Sequence, residues 1–113
     1  PIEELDPVAT TADLRAAREA TGQVTVEAPL REYVTRLARY TREHAQLGVS
    51  PRGAIALLRG AQARAVLDGR DYAIPDDVQA EAEVVMAHRI RRSAGEGTGA
   101  ELVAEALDAV AVE

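Results

Sequence analysis

The chain has 113 residues, nineteen acidic and thirteen basic, for a formal net charge of −6; it is 47% apolar yet has three Tyr, no Phe and no Trp. One domain with a modest core fits that length, and a core of Ala, Leu, Val and Ile suits close-packed helices better than a sandwich or barrel. The acidic balance argues against free nucleic acid as a partner. The lack of cysteine removes disulfide and thiolate-metal chemistry and fits a cytoplasmic protein, and no apolar run approaches the roughly 18 residues of a membrane span.

The chain opens on Pro, without a signal-peptide pattern, as expected of a fragment. Pro1 to Ala9 reads as an arm: Ile2, Leu5 and Val8 recur every third position between acids and Pro7, which suits packing along another element. Thr10 or Thr11 then caps a first helix, with Asp13 as the acid of a short capping box. Leu14, Ala17 and Ala20 give it a weak apolar stripe and Gly22 its stop. Val24-Thr25-Val26 and the distant Tyr72-Ala73-Ile74 are short strand-forming runs, suited to at most a minimal two-stranded ribbon at 24–26 and 72–74.

Pro29 opens the second helix, the clearest pattern in the chain: Leu30, Tyr33, Val34, Leu37, Ala38 and Thr41 fall at i, i+3, i+4, i+7, i+8 and i+11, a core face. The opposite face carries Arg31, Glu32, Arg36, Arg39 and Glu43, with Glu32 to Arg36 and Arg39 to Glu43 at helical ion-pair spacing. Arg42 and His44 lie where cations suit the C-terminal dipole, so helix capping is the simplest reading of both.

The stretch Leu47-Gly48-Val49-Ser50-Pro51-Arg52-Gly53 has the grammar of a helix start, with Ser50 at the N-cap and Pro51 at the first helical position. Arg52 is out of place there, because a cation opposes the macrodipole and an acid would be favoured. It is either a solvated surface residue or a group awaiting an anion, and a phosphate would suit both its guanidinium and the turn's N–H groups. The third helix runs from Pro51 to about Leu67 and ends at Gly69; with little polar surface, it is expected to be the central helix. Arg52 and Arg59, seven residues apart, share a face, while Arg64 points elsewhere.

Pro75 starts the fourth helix, where Asp76, Asp77, Glu81 and Glu83 complement the N-terminal dipole and Val78, Ala82, Val85 and Met86 form the buried stripe. It ends in His88-Arg89-Ile90-Arg91-Arg92, which either compensates the C-terminal dipole or faces an anionic partner. Residues 93–99 are a flexible linker by composition, and 100–113 a tail helix with Leu102, Val103, Ala106, Leu107 and Val110 on one side. That stripe needs a surface, either the domain's own bundle or a neighbour.

The usual catalytic patterns are missing: no Lys means no phosphate loop of the Gly-x-x-x-x-Gly-Lys-Ser/Thr type, and there is neither Gly-x-Ser-x-Gly nor His-Glu-x-x-His. Two His separated by 44 positions are a poor start for a metal site, so no catalytic or metal-binding residue is assigned.

Five motifs in order carry a resemblance: Pro1-Ile2-Glu3-Glu4-Leu5-Asp6-Pro7-Val8; Tyr33-Val34 with Thr41-Arg42-Glu43-His44; Leu47-Gly48-Val49-Ser50-Pro51-Arg52; Gly69-Arg70-Asp71-Tyr72 with Pro75-Asp76-Asp77-Val78; and His88-Arg89. Together they resemble the C-terminal lid domain of MoxR-type AAA+ ATPases, with related lids such as that of the magnesium-chelatase ATPase subunit nearby. The resemblance implies an all-α bundle of four helices over 1–92 with its N-terminal arm, followed by the linker and tail helix. It implies packing on the protein's own ATP-binding core and on neighbouring ring subunits, and chaperone-like maturation or metal insertion of partners, often with von Willebrand factor A domains. Arg52 becomes the sensor-2 arginine for the γ-phosphate of ATP, with Ser50 beside it, and Arg42, His88 and Arg89 become candidates for a core or subunit interface. The residues for ATP and Mg²⁺ would lie in the core, so this chain by itself is expected neither to hold ATP well nor to hydrolyse it. One departure is Ile74, where a capping Thr is usual, so the fourth helix is expected to start less firmly. The alternative from another class is a non-catalytic helical protein- or DNA-interaction module using Arg89, Arg91 and Arg92.

Overall fold

The computed structural model describes residues 10–113; the arm of residues 1–9, and with it the expected packing of Ile2, Leu5 and Val8, lies outside the described residues. The elements are α1 (Thr11–Gly22), α2 (Ala28–His44), α3 (Pro51–Leu67), α4 (Pro75–Met86), a 3-10 turn (Ala87–Arg89) and α5 (Gly99–Ala109). The fold is all-α, as expected. Helix α3 is its hub, packing against α1, α2 and α4, while α5 covers α2, α4 and the 3-10 turn.

The second helix buries Leu30, Tyr33, Val34, Leu37, Ala38 and Thr41, the face that the periodicity marked. These meet Leu57 and Ala61 of α3 and Val78, Ala82 and Met86 of α4 in one core. Each fully buried Leu- or Val-sized side chain contributes about 1.5–3 kcal/mol. The tail helix joins this core: Leu102, Val103 and Ala106 are 0–1% exposed, and Leu107 and Val110 pack partly buried beside them. Its apolar stripe thus finds its surface within the domain. Thr98 caps α5 through a complete capping box, accepting from Glu101 N at 3.1 Å while Glu101 Oε1 accepts from Thr98 N at 3.2 Å.

Three expectations need correction. The ribbon at 24–26 and 72–74 shrinks to one parallel bridge, Thr25 with Tyr72, whose bonds are Thr25 N to Asp71 O (2.8 Å) and Ala73 N to Thr25 O (3.0 Å). Val24 is instead buried, and its carbonyl accepts from Gln62 of α3. The pairs Glu32–Arg36 and Arg39–Glu43 are not among the ion pairs of the described residues. Arg36 donates to the carbonyls of Ala111 and Val112, both at 2.9 Å, since an exposed helical ion pair contributes only tenths of a kcal/mol and unpaired carbonyls beyond α5 compete for it. Helix α1 is capped as expected by Thr10 and Asp13, yet it buries no residue, and Leu14 is 62% exposed. One Leu and two Ala offer little to bury, and Leu14 and Ala17 border a groove with the polar side chains Arg59 and Gln62 of α3.

The turn between α3 and α4 is held by a buried carboxylate. Gly69, at φ 74°, ends α3 in a Schellman motif, with Arg70 N bonded to Ala65 O at 2.8 Å and Gly69 N to Val66 O at 3.0 Å. This sends Arg70 across the start of α4, where it donates to Asp77 twice, Nη1 to Oδ2 at 2.8 Å and Nη2 to Oδ1 at 2.7 Å. Arg70 also reaches Tyr72 O and Asp68, and Asp77 accepts from Ile74 N at 2.9 Å. Ile74 has no side-chain acceptor, so only this half of a capping box exists; the bidentate arginine supplies the firmness that a capping Thr would have given. Hydrogen bonds from Arg70 hold the Asp77 carboxyl below the usual aspartate range, helped by Ile74 N and opposed by burial.

Candidate functional site

The stretch 47–53 is fixed from several sides, and Arg52 stands at its exposed end. Ser50 caps α3, its Oγ accepting from Gly53 N at 3.2 Å, and Pro51 takes the first helical position. Ala54 N is bonded to Ser50 O at 3.0 Å. Because Pro51 has no N–H and those of Gly53 and Ala54 are engaged, the amide of this turn that has no partner among the described residues is that of Arg52. Its guanidinium is exposed and forms no ion pair among the described residues. The turn contains no acid, so nothing local offsets that positive charge.

The loop leading into α3 is gripped by the end of α2. Thr41, fully buried, donates to Ala38 O at 2.7 Å and accepts from Val49 N at 2.9 Å; Arg42 Nη1 donates to Val49 O at 2.7 Å. Gly48 lies so close to the α2 backbone that an added Cβ would stand 2.5 Å from Arg42 Cα and 2.6 Å from Thr41 C. Leu47 and Arg91 form an antiparallel bridge, with N–H to O distances of 2.9 and 2.8 Å. Arg89 lies over the first turn of α3, its Cδ 3.0 Å from where a Cβ on Gly53 would sit.

Arg42 and Arg89 therefore meet around the helix start that carries Arg52, through contacts within the domain. Arg89 also donates to Val85 O at 3.1 Å, near the end of α4, as the dipole reading of the basic run expects. Its other contact is His88 Nε2 at 2.9 Å; an arginine only donates, so that nitrogen is the acceptor. His44 is placed by its Nδ1 contact with Tyr40 O at 2.8 Å and by stacking on the Tyr40 ring. Arg89, Arg91 and Arg92 do not form one basic surface. Arg91 is exposed, but the Arg92 side chain is 10% exposed and faces Glu105 at 3.6 Å. Sequence reasoning assigned Thr41 to the apolar stripe and missed its hydroxyl; the signal was a polar residue at a core position.

A model of the AAA lid domain family matches residues 37–107, from the middle of α2 to near the end of α5, a span that includes the capped, arginine-bearing start of α3. The chain belongs to that family. It is 42% identical over 118 aligned residues to the "Uncharacterized protein YeaC" of Bacillus subtilis strain 168, over 99% of this chain and 37% of that protein. It is 51% identical over 45 residues to "Protein MoxR" of Methylorubrum extorquens, over 40% of this chain and 13% of that protein. It is 32% identical over 94 residues to "Chaperone MoxR1" of Mycobacterium tuberculosis, over 74% of this chain and 25% of that one. The crystal structure of a Cytophaga hutchinsonii protein provisionally described as an ATPase superposes with a TM-score of 0.82 at 28% identity, covering 88% of this chain and 35% of that one. These similarities bear out the resemblance to a C-terminal lid of the MoxR type. The chain spans 37% or less of the length of these relatives. No helix among the described residues is long and apolar enough to cross a membrane.

Proposed function

We propose that this lid completes the nucleotide site of a MoxR-type AAA+ ATPase, with Arg52 as the sensor-2 arginine for the terminal phosphate. The observation that carries the reading is an exposed guanidinium without an ion-pair partner among the described residues, on a first turn whose N-cap is already satisfied. A charge in that position is disfavoured by the helix dipole and becomes favourable once an anion stands beside it. One free amide would be a weak anion site, so the guanidinium, with five donors in a planar fork, is the principal phosphate ligand here.

ATP with Mg²⁺ would supply the transferable phosphoryl group. The phosphate loop, the acids for the metal and the arginine finger belong, by resemblance, to the protein's own AAA+ core and its neighbours in the ring. Arg52 binds and orients a terminal phosphate oxygen and favours the charge that develops there. This chain alone is not expected to turn ATP over. The whole protein is read as a cytoplasmic, chaperone-like ring ATPase acting on partner proteins, with a von Willebrand factor A domain protein as the expected partner class.

The test is Arg52→Ala in the intact ATPase. Turnover should fall at least about 10-fold, since a guanidinium on developing phosphoryl charge contributes about 10² to 10⁵ in rate, and nucleotide affinity should fall less. Arg59→Ala, two helical turns further along α3, is the control. Equal losses in both variants would replace a dedicated sensor with a diffuse basic edge; wild-type turnover in the Arg52 variant would end the proposal.

A further inference from the structure

We infer that Thr41 and Arg42 are positioning residues for Arg52: together they grip both polar groups of one peptide residue, Val49, and so set the place and direction in which α3 begins. This rests on the reading of Arg52 as a phosphate sensor and extends it to two residues on another helix.

The geometry is specific. Val49 N–H is received by the Thr41 hydroxyl at 2.9 Å, and Val49 C=O by Arg42 Nη1 at 2.7 Å. The Thr41 hydroxyl has one proton, and that proton is committed to Ala38 O at 2.7 Å, which turns the oxygen lone pairs toward Val49. Thr41 and Val49 are both 0% exposed, so water cannot replace the bond if the hydroxyl is removed. The next residue is Ser50, whose side chain caps α3, and Arg52 follows two positions later. Gly48 makes the grip possible by letting its backbone lie against that of Arg42. A sensing arginine on an exposed first turn has no packing of its own to aim it. The residue that enters the turn is where its direction can be fixed, and catalytic geometry tolerates errors of only about half an ångström.

A neutral packing role would predict a different pattern. Valine is nearly the same size as threonine and would serve packing as well; methionine would preserve most of the stem of Arg42. If the grip acts through hydrogen bonds, Thr41→Val and Arg42→Met should harm function while Thr41→Ser and Arg42→Lys, which keep a hydroxyl and a donor, should largely restore it. Arg42, being exposed, carries the test if the buried Thr41→Val variant folds poorly.

Two measurements decide. In the 113-residue chain, amide exchange at Val49 should quicken about 10-fold or more in Thr41→Val, while the amide of Leu57, in the middle of α3, stays within about 2-fold. In the intact ATPase, Thr41→Val and Arg42→Met should lower kcat by about 10-fold with KM for ATP nearly unchanged, and should lower it no further once Arg52 is already Ala. Unchanged exchange at Val49 overturns the grip whatever the ATPase does. An equal loss of kcat in the Arg52→Ala background overturns the route through Arg52. Wild-type turnover of Arg52→Ala alone would sink the sensor reading and with it the route to turnover, a failure distinguishable from that of the grip, which exchange at Val49 measures without nucleotide.

Discussion

Asp77→Ala offers the sharpest test of how this small domain is held together. Asp77 is 2% exposed, and its carboxylate receives three hydrogen bonds, two from Arg70 at 2.7 and 2.8 Å and one from Ile74 N at 2.9 Å. Removing one partner of a buried, bidentate pair costs about 3–5 kcal/mol. The lower end applies here, because the Arg70 side chain is 19% exposed and keeps Asp68 and Tyr72 O. A loss of about 3 kcal/mol is therefore expected. In a domain of about 100 residues this lowers Tm by roughly 12 °C or more. The assay is urea unfolding followed by circular dichroism, in a cycle with Arg70→Met and the double variant. Arg70→Met should cost at least as much, since it strands the more buried partner, and the double variant should cost less than the sum by about 2 kcal/mol. A single-variant loss under about 1 kcal/mol, or additivity within about 0.5 kcal/mol, would refute the reasoning.

The same carboxylate gives a pH dependence. Its folded-state pKa lies below the ordinary value of 3.8, so its contribution is fully present above that value and is lost as pH falls through the folded pKa. The urea midpoints of wild type and Asp77→Ala should stay a constant distance apart from pH 7 to about pH 5 and converge below about pH 4; a constant gap down to pH 2 would contradict this. Leu102→Ala, at a site 0% exposed, should cost about 3 kcal/mol by urea titration, whereas a merely tethered tail would lose under about 1 kcal/mol. Thr98→Ala removes the hydroxyl that accepts from Glu101 N, while the backbone N–H of residue 98 keeps its bond to Glu101 Oε1, and should cost about 1 kcal/mol, seen as a lowered urea midpoint; an unchanged midpoint would mean that this hydroxyl is not needed to start the helix. Arg52→Ala should leave Tm unchanged within about 2 °C or raise it slightly, because an unfavourable charge is removed from a helix start.

What could be read from the sequence was what depends on period and caps. The α2 stripe from Leu30 to Thr41, the Ser50-Pro51 start of α3 and its end before Gly69 all stand where spacing put them. The Thr98-x-x-Glu101 capping box was equally open to reading, but the glycines around it suggested a linker. Tertiary contacts left no such trace. Nothing local indicates that Asp77 turns inward to Arg70, that Arg36 prefers the carbonyls after α5 to Glu32, or that α1 stays outside the core. At the candidate site, Arg52 stood out because it breaks a local rule. The roles of Thr41 and Arg42 depend on a chain reversal that brings Val49 back beside residues eight and seven positions earlier.

Helix α1 gives the domain a built-in gauge. Twelve residues with a good cap and no buried side chain sit near the limit of what a helix sustains in water, so its amides should open on their own, far below the free energy that protects α3. Exchange in α1 and in α3 would then report two different equilibria in one experiment. Anything that settles over Leu14 would slow exchange in the first and leave the second nearly still. Contact with a neighbouring surface could in this way be told apart from a general gain in stability, without attaching a label to the protein.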